Sequence, residues 1–304
     1  MTNITILLAT YNGERFIDEQ ISSLAAQDVP RLDVVVSDDG SSDGTLTILE
    51  AWQQRWTKGS FTLRRGPARG FAENFRFLLQ TPGIATGYVA FCDQDDLWDA
   101  DKLSVAVAAL ANDTGPALYG SRTRLIDENN RPIGYSPRFP RAPSFRNAIV
   151  QSLAGGNTMV LNPAAAALAA ESCRRTGFVS HDWWCYLLVT GAGGRAVYDP
   201  VPHIGYRQHD SNLVGDKSAL FAKFTRLKLG LQGRYANWNE RNLAGLAACS
   251  DLIDAHAREI VAQFKVARAN TGVGGIVGLM RSRVYRQTVP GSLALWVAAL
   301  LGKV

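Results

Sequence analysis

Residues 88–96 read YVAFCDQDD, an unbroken apolar run followed at once by three carboxylates within four residues. Five apolar residues without polar alternation are typical of a strand that is covered on both faces, as in a parallel sheet. In open α/β sheets, ligands bind beyond the carboxyl ends of the strands, and Asp93, Asp95 and Asp96 follow this strand directly. The stretch therefore predicts an α/β fold with an acidic site at one edge of its sheet.

The sequence before this stretch alternates between strand and helix patterns. Short apolar runs are separated by segments whose apolar residues recur at helical spacing. This alternation predicts βαβ units, and hence a mostly parallel central sheet flanked by helices. The predicted strands are 4–9, 32–36 and 61–63, and the predicted helices are 16–24, 46–52 and 71–79.

The later sequence predicts a mixed middle section and a helical end. From about residue 216 the strand signals nearly vanish. The chain is therefore divided into an α/β domain at 1–215 and a helical C-terminal appendage at 216–304. Strands are predicted at 117–126 and 158–161, a loop at 131–143, and helices at 163–170, 183–189, 217–231 and 243–269.

The composition and the missing motifs argue against several classes of function. The chain has 304 residues, and 32 Lys and Arg against 27 Asp and Glu leave a formal charge of +5. So small an excess, with no basic stripe carrying interleaved aromatic residues, argues against nucleic-acid binding. The first strand is not followed by Gly-x-Gly-x-x-Gly, and no strand is followed by a P-loop motif. These absences argue against a dinucleotide dehydrogenase and a P-loop NTPase.

Targeting signals and cysteines point to a cytoplasmic protein. The N-terminus has no basic start and only a short apolar run, which is typical of a buried strand rather than a signal peptide. No stretch reaches the roughly 20 apolar residues of a membrane span. The four cysteines form no Cys-x-x-Cys pair, so we expect a reducing compartment and no disulfide framework.

Two carboxylates of the acidic stretch suit a metal ion. In an extended segment Asp93 and Asp95 point the same way, and like charges so close repel each other unless a cation compensates them. Two oxygen donors on one side favour a hard divalent ion that keeps waters and also takes phosphate oxygens. The alternative is a solvated acidic turn.

Further polar positions could carry chemistry, and each has a structural alternative. Asp39 follows the second predicted strand, where Asp also serves as a turn residue. Asp182 is followed by two tryptophans and could be a base in a walled pocket, or only a helix cap. His209 could be a ligand or a structural hydrogen bonder, and Arg207 beside it could meet a phosphate.

Taken in order, these motifs resemble glycosyltransferase family 2, whose fold is GT-A. The resemblance is carried by residues 8–14 (LATYNGE), 35–45 (VVSDDGSSDGT) and 93–98 (DQDDLW), and it spans about residues 3–210. Residues 70–75 (GFAENF) and 206–212 (YRQHDSN) are similar to the bacterial rhamnosyltransferase branch. The resemblance implies a Rossmann-like GT-A domain with a nucleotide-binding half at 1–112 and an acceptor half at 113–215.

The resemblance implies a nucleotide site at the ends of the first two strands. Ala9 and Tyr11 would line the base pocket, with the Tyr11 ring against the base. Asp39 would accept a hydrogen bond from the imide N–H of uracil or thymine, since an ionised carboxylate only accepts. Asn74 would lie near the nucleotide.

The resemblance also implies a metal site and a catalytic base. Asp93 would lie near the ribose and the metal, Asp95 would bind Mg²⁺ or Mn²⁺ directly, and His209 would be a further ligand. Asp182 falls at the position of the family's base. The family usually has an acid before that position, and this chain has His181 instead.

The implied reaction is a metal-dependent, inverting sugar transfer. The favoured sugar is L-rhamnose, transferred from dTDP-β-L-rhamnose onto a hydroxyl of a growing cell-surface glycan such as an O-antigen. One alternative is the same chemistry with a UDP-linked galactose, glucose or N-acetylglucosamine. Another is a non-catalytic module that binds nucleotide sugars. The acceptor would be lipid-linked or a glycan.

The C-terminal region is basic, and residues 293–297 (LALWV) are apolar. Such a segment can lie on an anionic membrane surface, which suits the lipid-linked acceptors of the family. The same apolar stripe can instead form a homodimer contact, so peripheral contact with the inner face of the plasma membrane and dimerisation both stay open. The basic residues are Lys217, Lys223, Arg226, Lys228, Arg234, Arg281, Arg283 and Arg286.

Overall fold

The computed structural model describes residues 3–209 and 234–304. The strands in these ranges are β1 (Ile4–Thr10), β2 (Asp33–Asp38), β3 (Phe61–Arg65), β4 (Tyr88–Cys92), β5 (Leu97–Trp98), β6 (Ala117–Ser121), β7 (Arg124–Ile126), β8 (Pro132–Tyr135), β9 (Val160–Leu161), β10 (Arg195–Asp199) and β11 (Ile204–Arg207).

The helices of the same ranges alternate with the strands at first and then follow one another. They are α1 (Ile17–Ala25), α2 (Thr45–Arg55), α3 (Phe71–Leu79), α4 (Lys102–Leu110), α5 (Phe145–Ala148), α6 (Pro163–Arg175), α7 (His181–Gly191), α8 (Arg234–Ala248), α9 (Ala255–Ala269), α10 (Gly272–Ser282) and α11 (Val289–Leu300). Short 3₁₀ turns occur at Ile84–Thr86, Gly156–Thr158 and Ser250–Leu252.

Seven of the described strands form the central sheet, in the order β10-β6-β9-β4-β1-β2-β3. β1 pairs in parallel with β2 and β4, β2 with β3, and β6 with β10. β9 runs antiparallel to β4 and β6. The mostly parallel sheet flanked by helices, predicted from the alternating pattern, is confirmed.

β5, β11, β7 and β8 form a second sheet of four strands. β11 pairs antiparallel with β5, which directly follows the acidic stretch, and parallel with β7. Since β11 ends at Arg207, this sheet brings His209 towards the segment after β4.

Two hydrophobic cores lie on the two faces of the central sheet, because side chains along a strand alternate between its faces. Ile4, Ile6 and Leu8 of β1 pack with α1, α2 and α4. Leu7 belongs to the opposite core, which also contains residues of α3, α6 and α7 and of all four C-terminal helices from α8 to α11. The described C-terminal helices are therefore packed onto the α/β domain.

The segment predicted as one strand at 117–126 is two strands in different sheets. β6 ends at Ser121, and Arg122 N then donates to Asp199 O at 2.9 Å before the chain leaves the central sheet. β7 begins at Arg124 in the second sheet. The polar residues 121–124 (SRTR) separate the two apolar runs and mark the change of sheet, so the single strand was wrong.

The segment predicted as a loop at 131–143 contains β8. Asp127 Oδ1 accepts hydrogen bonds from Asn129 N at 2.8 Å and Arg131 N at 2.9 Å, which forms the tight turn between β7 and β8. Pro132 is the first residue of β8, a strand at the edge of its sheet, where a missing N–H is tolerated. The proline therefore did not exclude a strand.

The segment predicted as one helix at 243–269 is broken. α8 ends at Ala248, and the Asp254 side chain accepts a hydrogen bond from Ala257 N at 2.7 Å, which caps the start of α9. The helix predicted at 217–231, the domain boundary near 216 and residues 210–212 of the resemblance lie outside the described residues. None of the described helices is long and apolar enough to cross a membrane.

Candidate active site

The loops after β1, β2 and β4 meet at one edge of the central sheet. β1 lies between the other two strands, and all three run in parallel. Thr10 pairs with Asp38 and Leu8 pairs with Cys92, so the three strands end almost level. The structure therefore brings the acidic segments after β2 and β4 together on either side of β1.

Asp39 is buried at the end of β2, where its carboxylate holds the loop before α3. Oδ1 accepts a hydrogen bond from Ala68 N at 2.7 Å, and Oδ2 accepts one from Gly70 N at 2.8 Å. A carboxylate has about four lone-pair sites, so it can accept a further hydrogen bond. Its neighbour Asp38 is fully engaged with Thr10 and with the Ser41 backbone and hydroxyl.

Asn74 and Tyr11 lie at the same edge, and Ala9 is a partly buried residue of β1. The Asn74 amide donates to Ser37 O at 2.9 Å, while its Oδ1 is buried with no hydrogen-bond partner among the described residues. The Tyr11 side chain is 59% exposed, although a large aromatic ring is usually buried. An orphaned acceptor and an open aromatic ring are both features that a bound base could satisfy.

Gln94 joins the loop after β1 to the loop after β4, a link that the sequence motifs did not suggest. Gln94 Oε1 accepts a hydrogen bond from Tyr11 N at 2.8 Å, and Gln94 Nε2 donates to Tyr11 O at 3.0 Å. A Cβ atom on Gly13 would lie only 2.5 Å from Gln94 Oε1. The paired bonds therefore fix the backbone of Tyr11, and the glycine leaves room for the amide.

The three carboxylates after β4 have different surroundings. Asp96 is completely buried, where Oδ2 accepts from Asn157 Nδ2 at 2.6 Å and Oδ1 accepts from Arg207 N at 3.2 Å. Burial raises the pKa of Asp96 well above its usual value, with the Asp95 and Asp93 carboxylates adding to the effect. Asp96 therefore fixes the loop and is not a ligand.

The pKa of Asp93 depends on the neighbouring carboxylate of Asp95 and on that of the candidate base, Asp182. Burial raises the pKa of Asp93, and together with the carboxylates of Asp95 and Asp182 it brings this pKa to about 7. This effect places the negative charges of Asp93, Asp95 and Asp182 close to one another. The segment after β4 and the start of α7 therefore face the same space.

Asp95 and His209 are in direct contact. Asp95 Oδ2 and His209 Nε2 are 2.8 Å apart, and the His209 ring also packs against Phe16. The contact has the length of a hydrogen bond, and the same carboxylate oxygen and imidazole nitrogen would supply two neighbouring ligands to Mg²⁺ or Mn²⁺. Within residues 3–209 and 234–304, no three His, Cys, Asp or Glu side chains form a cluster that could hold a metal. Such an ion would need water or phosphate oxygens as well.

Arg207 is structural, which corrects the expectation that it could meet a phosphate. Its side chain is completely buried. The guanidinium donates to Glu19 Oε2 at 2.5 Å, to Asn130 Oδ1 at 2.6 Å and to Asp95 O at 2.8 Å. Arg207 therefore holds the backbone of the candidate metal ligand in place.

Asp182 lies in the first turn of α7, as predicted, and is partly buried. Its Oδ2 accepts a weak hydrogen bond from Ser152 Oγ at 3.4 Å, and its Oδ1 is buried with no partner among the described residues. Trp183 and Trp184 point away into the core, where their indole N–H groups donate to Ala148 O and Ser172 Oγ. The expected aromatic walls are therefore core residues.

His181 is buried against Phe75 and Phe91, with ring centroids 3.8 and 4.6 Å away. Burial lowers the pKa of His181 to about 4, although the Asp182 carboxylate opposes the shift. A Cβ atom on Gly156 would lie 1.9 Å from His181 Nε2, so this histidine needs the glycine. His181 is thus a neutral packing residue that supports the first turn of α7.

The fold and the acidic edge define the class: the protein is a glycosyltransferase with the GT-A fold. The model of the family "Glycosyl transferase family 2" matches residues 5–175, and the chain belongs to this family.

Among its relatives is the dTDP-rhamnosyl transferase RfbG of Shigella flexneri, 29% identical over 234 residues, which are 73% of this chain and 78% of the relative. A second relative is the UDP-Glc:alpha-D-GlcNAc-diphosphoundecaprenol beta-1,3-glucosyltransferase WfgD of Escherichia coli. It is 29% identical over 43% of this chain and 49% of its own length. The resemblance to a rhamnosyltransferase branch of the family is confirmed.

Two solved structures show the same fold. TarS of S. aureus (residues 1–349, in complex with UDP) superimposes with a TM-score of 0.58 at 18% identity, over 100% of this chain and 88% of that one. The mannosyltransferase PcManGT of Pyrobaculum calidifontis, in complex with GDP-Man and Mn²⁺, gives a TM-score of 0.51 at 19% identity, over 99% and 85%.

Proposed function

We propose that this glycosyltransferase transfers L-rhamnose from dTDP-β-L-rhamnose, with inversion, to a hydroxyl of a cell-surface glycan. The donor is supported by the similarity to a dTDP-rhamnosyl transferase, which extends over 73% of the chain. The second candidate is a UDP-hexose donor, favoured by the relative whose name specifies UDP-Glc. A non-catalytic binding module is the least favoured reading, because Asp95 and Asp182 are both in place.

The nucleotide would bind at the edge formed by β1 and β2. Asp39 accepts the imide N–H of thymine or uracil on its remaining lone pairs, and the exposed ring of Tyr11 packs against the base. Asn74, whose Oδ1 has no hydrogen-bond partner among the described residues, would lie beside the nucleotide. Cytosine has no N–H at the imide position, so a cytidine nucleotide should bind poorly.

The diphosphate would bind beside Asp95 and His209. Asp95 and His209 would hold Mg²⁺ or Mn²⁺, and Asp93 would lie between this pair and the ribose. When bound, the ion supplies positive charge that stabilises the leaving diphosphate. The structural support is the 2.8 Å contact between the two proposed ligands.

Asp182 would act as the base. Its carboxylate takes the proton of the acceptor hydroxyl, whose oxygen attacks the anomeric carbon from the face opposite the diphosphate as the bond to the diphosphate breaks. A single displacement of this kind inverts the anomeric centre, and its transition state is oxocarbenium-like, as in glycoside hydrolysis. His181 and Gly156 keep the first turn of α7 in position.

A single observation carries the proposal. His181, which directly precedes the proposed base, packs on Phe91 of β4 with ring centroids 4.6 Å apart, two residues before Asp93 and at the edge that also holds Asp39. Donor, ion and base would otherwise have no common site.

The test is a donor panel with purified protein. We expect dTDP-rhamnose to raise the unfolding temperature in the presence of Mn²⁺, because a ligand that binds only the native state stabilises it. UDP-glucose, UDP-galactose and UDP-N-acetylglucosamine are the comparison, and CDP is the negative control. A larger shift with a UDP-sugar would show that this sugar nucleotide, and not dTDP-rhamnose, is the donor. The absence of a shift with every nucleotide would refute the nucleotide site.

The base is tested separately. Asp182→Asn should lower transfer by roughly 10²- to 10⁴-fold and leave donor binding unchanged. Asp28→Asn is the matched control, because this exposed carboxylate precedes β2 and so lies at the opposite edge of the sheet. Full transfer by Asp182→Asn would refute the base assignment.

The setting of the reaction is also part of the proposal. We place the enzyme in the cytoplasm, because its four cysteines form no Cys-x-x-Cys pair and a reducing compartment is the ordinary setting for such a sequence. The acceptor is a glycan, lipid-linked if the enzyme works at a membrane. The domain limits at 112 and 215 remain predictions.

A further inference from the structure

Helices α10 and α11, with the residue that follows α11, present a row of exposed apolar side chains. Each of these side chains is exposed by 40 to 75%. We call this surface the C-terminal face. It consists of Val273, Val277, Met280, Val289, Leu293, Trp296, Val297, Leu300 and Leu301.

The C-terminal face is the outer side of helices whose inner side is already packed. Leu295 and Ala299 of α11 are buried in the core of the protein, together with Leu279 of α10. α11 contains no charged residue, and the only charge in α10 is Arg281. A helix that is apolar all round is normally buried, so the outer side requires a partner.

The sequence that forms the face carries side-chain charges of one sign, although Arg268 is paired with Glu240 of α8. The last 45 residues, 260–304, contain six basic residues and no acidic residue (Lys265, Arg268, Arg281, Arg283, Arg286 and Lys303). Arg281 and Arg283 line a surface cavity of about 550 Å³ together with Val277, Met280 and Gln263. Two basic residues and two apolar residues of the row therefore lie around the same surface cavity.

We propose that the C-terminal face binds the surface of an anionic lipid bilayer, with α11 lying in the plane of the interface. Apolar side chains with a basic rim match the acyl and headgroup layers of such a surface, and Trp296 is of the type that prefers this boundary. A second copy of the chain fits less well, because a two-fold contact would bring two basic rims together. The proposal goes beyond sugar transfer and does not depend on the donor.

The experiment uses the full chain and lipid vesicles, without donor or acceptor. The protein should sediment with vesicles that contain phosphatidylglycerol and bind at least tenfold less to vesicles of phosphatidylcholine alone. Arg281→Gln with Arg283→Gln should weaken binding to the anionic vesicles by more than tenfold, since each basic residue near the surface contributes about fivefold.

A second variant tests the apolar contribution. Leu293→Ser with Trp296→Ser should lower binding to the anionic vesicles by at least tenfold. The matched control is Ile133→Ser with Val201→Ser, which removes two other exposed apolar side chains and should bind as the wild type does. Unfolding curves of each variant show that the fold is retained.

Three results would overturn the proposal. The first is the absence of binding to anionic vesicles, and the second is equal binding by the Leu293→Ser/Trp296→Ser variant. The third is a dimer in analytical ultracentrifugation that this variant dissociates, which would make the C-terminal face a contact between copies. None of these results bears on sugar transfer, so the donor and base assignments would stand.

Discussion

Replacing Gln94 with alanine should weaken donor binding without removing any group proposed to touch the donor. The substitution deletes the two hydrogen bonds that fix the Tyr11 backbone, at 2.8 and 3.0 Å. The loop after β1 would then be ordered only when the nucleotide binds. Part of the binding free energy would be lost to this ordering.

The size of the effect follows from the two bonds. A neutral hydrogen bond contributes about 0.5–1.5 kcal/mol net, and this pair is partly exposed to solvent, so about 1–2 kcal/mol is expected in total. That free energy corresponds to a roughly 5- to 30-fold increase in the KM for the donor. The kcat should change much less, because Asp182 is not affected.

A substitution at Gly13 should weaken donor binding in the same way. In Gly13→Ala the new Cβ atom would lie 2.5 Å from Gln94 Oε1, so the amide must move and its bonds to Tyr11 break. Gly13→Ala should therefore raise the KM as Gln94→Ala does, and the double variant should be no worse than either single one. Gln80→Ala, a substitution in a surface glutamine at the end of α3, is the control.

The measurement is the steady-state KM and kcat of the wild type and the four variants at saturating Mn²⁺, with unfolding curves alongside. Additive effects of Gly13→Ala and Gln94→Ala would refute the coupling through the amide. A Gln94→Ala variant with the KM of the wild type would refute the role of Gln94.

Three further predictions concern stability. Burial lowers the pKa of His181 to about 4, so between pH 6.5 and 4 the unfolded chain binds a proton that the folded chain does not bind. The free energy of unfolding of the wild type should therefore be constant above pH 6.5 with respect to this group and fall by about 3 kcal/mol as the pH drops to 4. His181→Phe should show a flatter pH dependence in urea unfolding. Gly156→Ala should destabilise the protein by about 1–3 kcal/mol through the contact with His181, measured by the same curves, and an unchanged midpoint would contradict that packing. Burial lowers the pKa of Lys102 to about 7, and its Nζ has no hydrogen-bond partner among the described residues but lies 3.2 Å from the centroid of the Trp98 ring. Lys102→Met should therefore stabilise the protein by about 1–3 kcal/mol below pH 7, with the gain shrinking as the pH rises towards 10.5; a loss of stability would show that the ring contact outweighs burial of the amine.

The limits of the helices and strands that follow a simple apolar pattern could be predicted from the sequence. β4 and α3 have the predicted limits, because an apolar run or a helical period marks both ends of each element. The shared edge of Asp39 and Asp93 also followed from parallel strands, whose carboxyl ends must lie at one side. The roles proposed for these residues remain predictions.

The features that were missed depend on contacts between distant segments. The Gln94 amide binds the backbone of Tyr11, and Arg207 binds Glu19, 188 positions away in sequence. Local patterns do not contain such pairs. The aromatic neighbours of Asp182 were misread for the same reason, since the helical turn directs both tryptophans into the core.

The most direct test of the central claim is a crystal structure of the protein with dTDP and Mn²⁺. We expect the thymine ring against Tyr11 with its imide N–H on Asp39, and the diphosphate and Mn²⁺ at Asp95 and His209. A nucleotide bound elsewhere, or one whose diphosphate lies away from Asp95, would contradict the account.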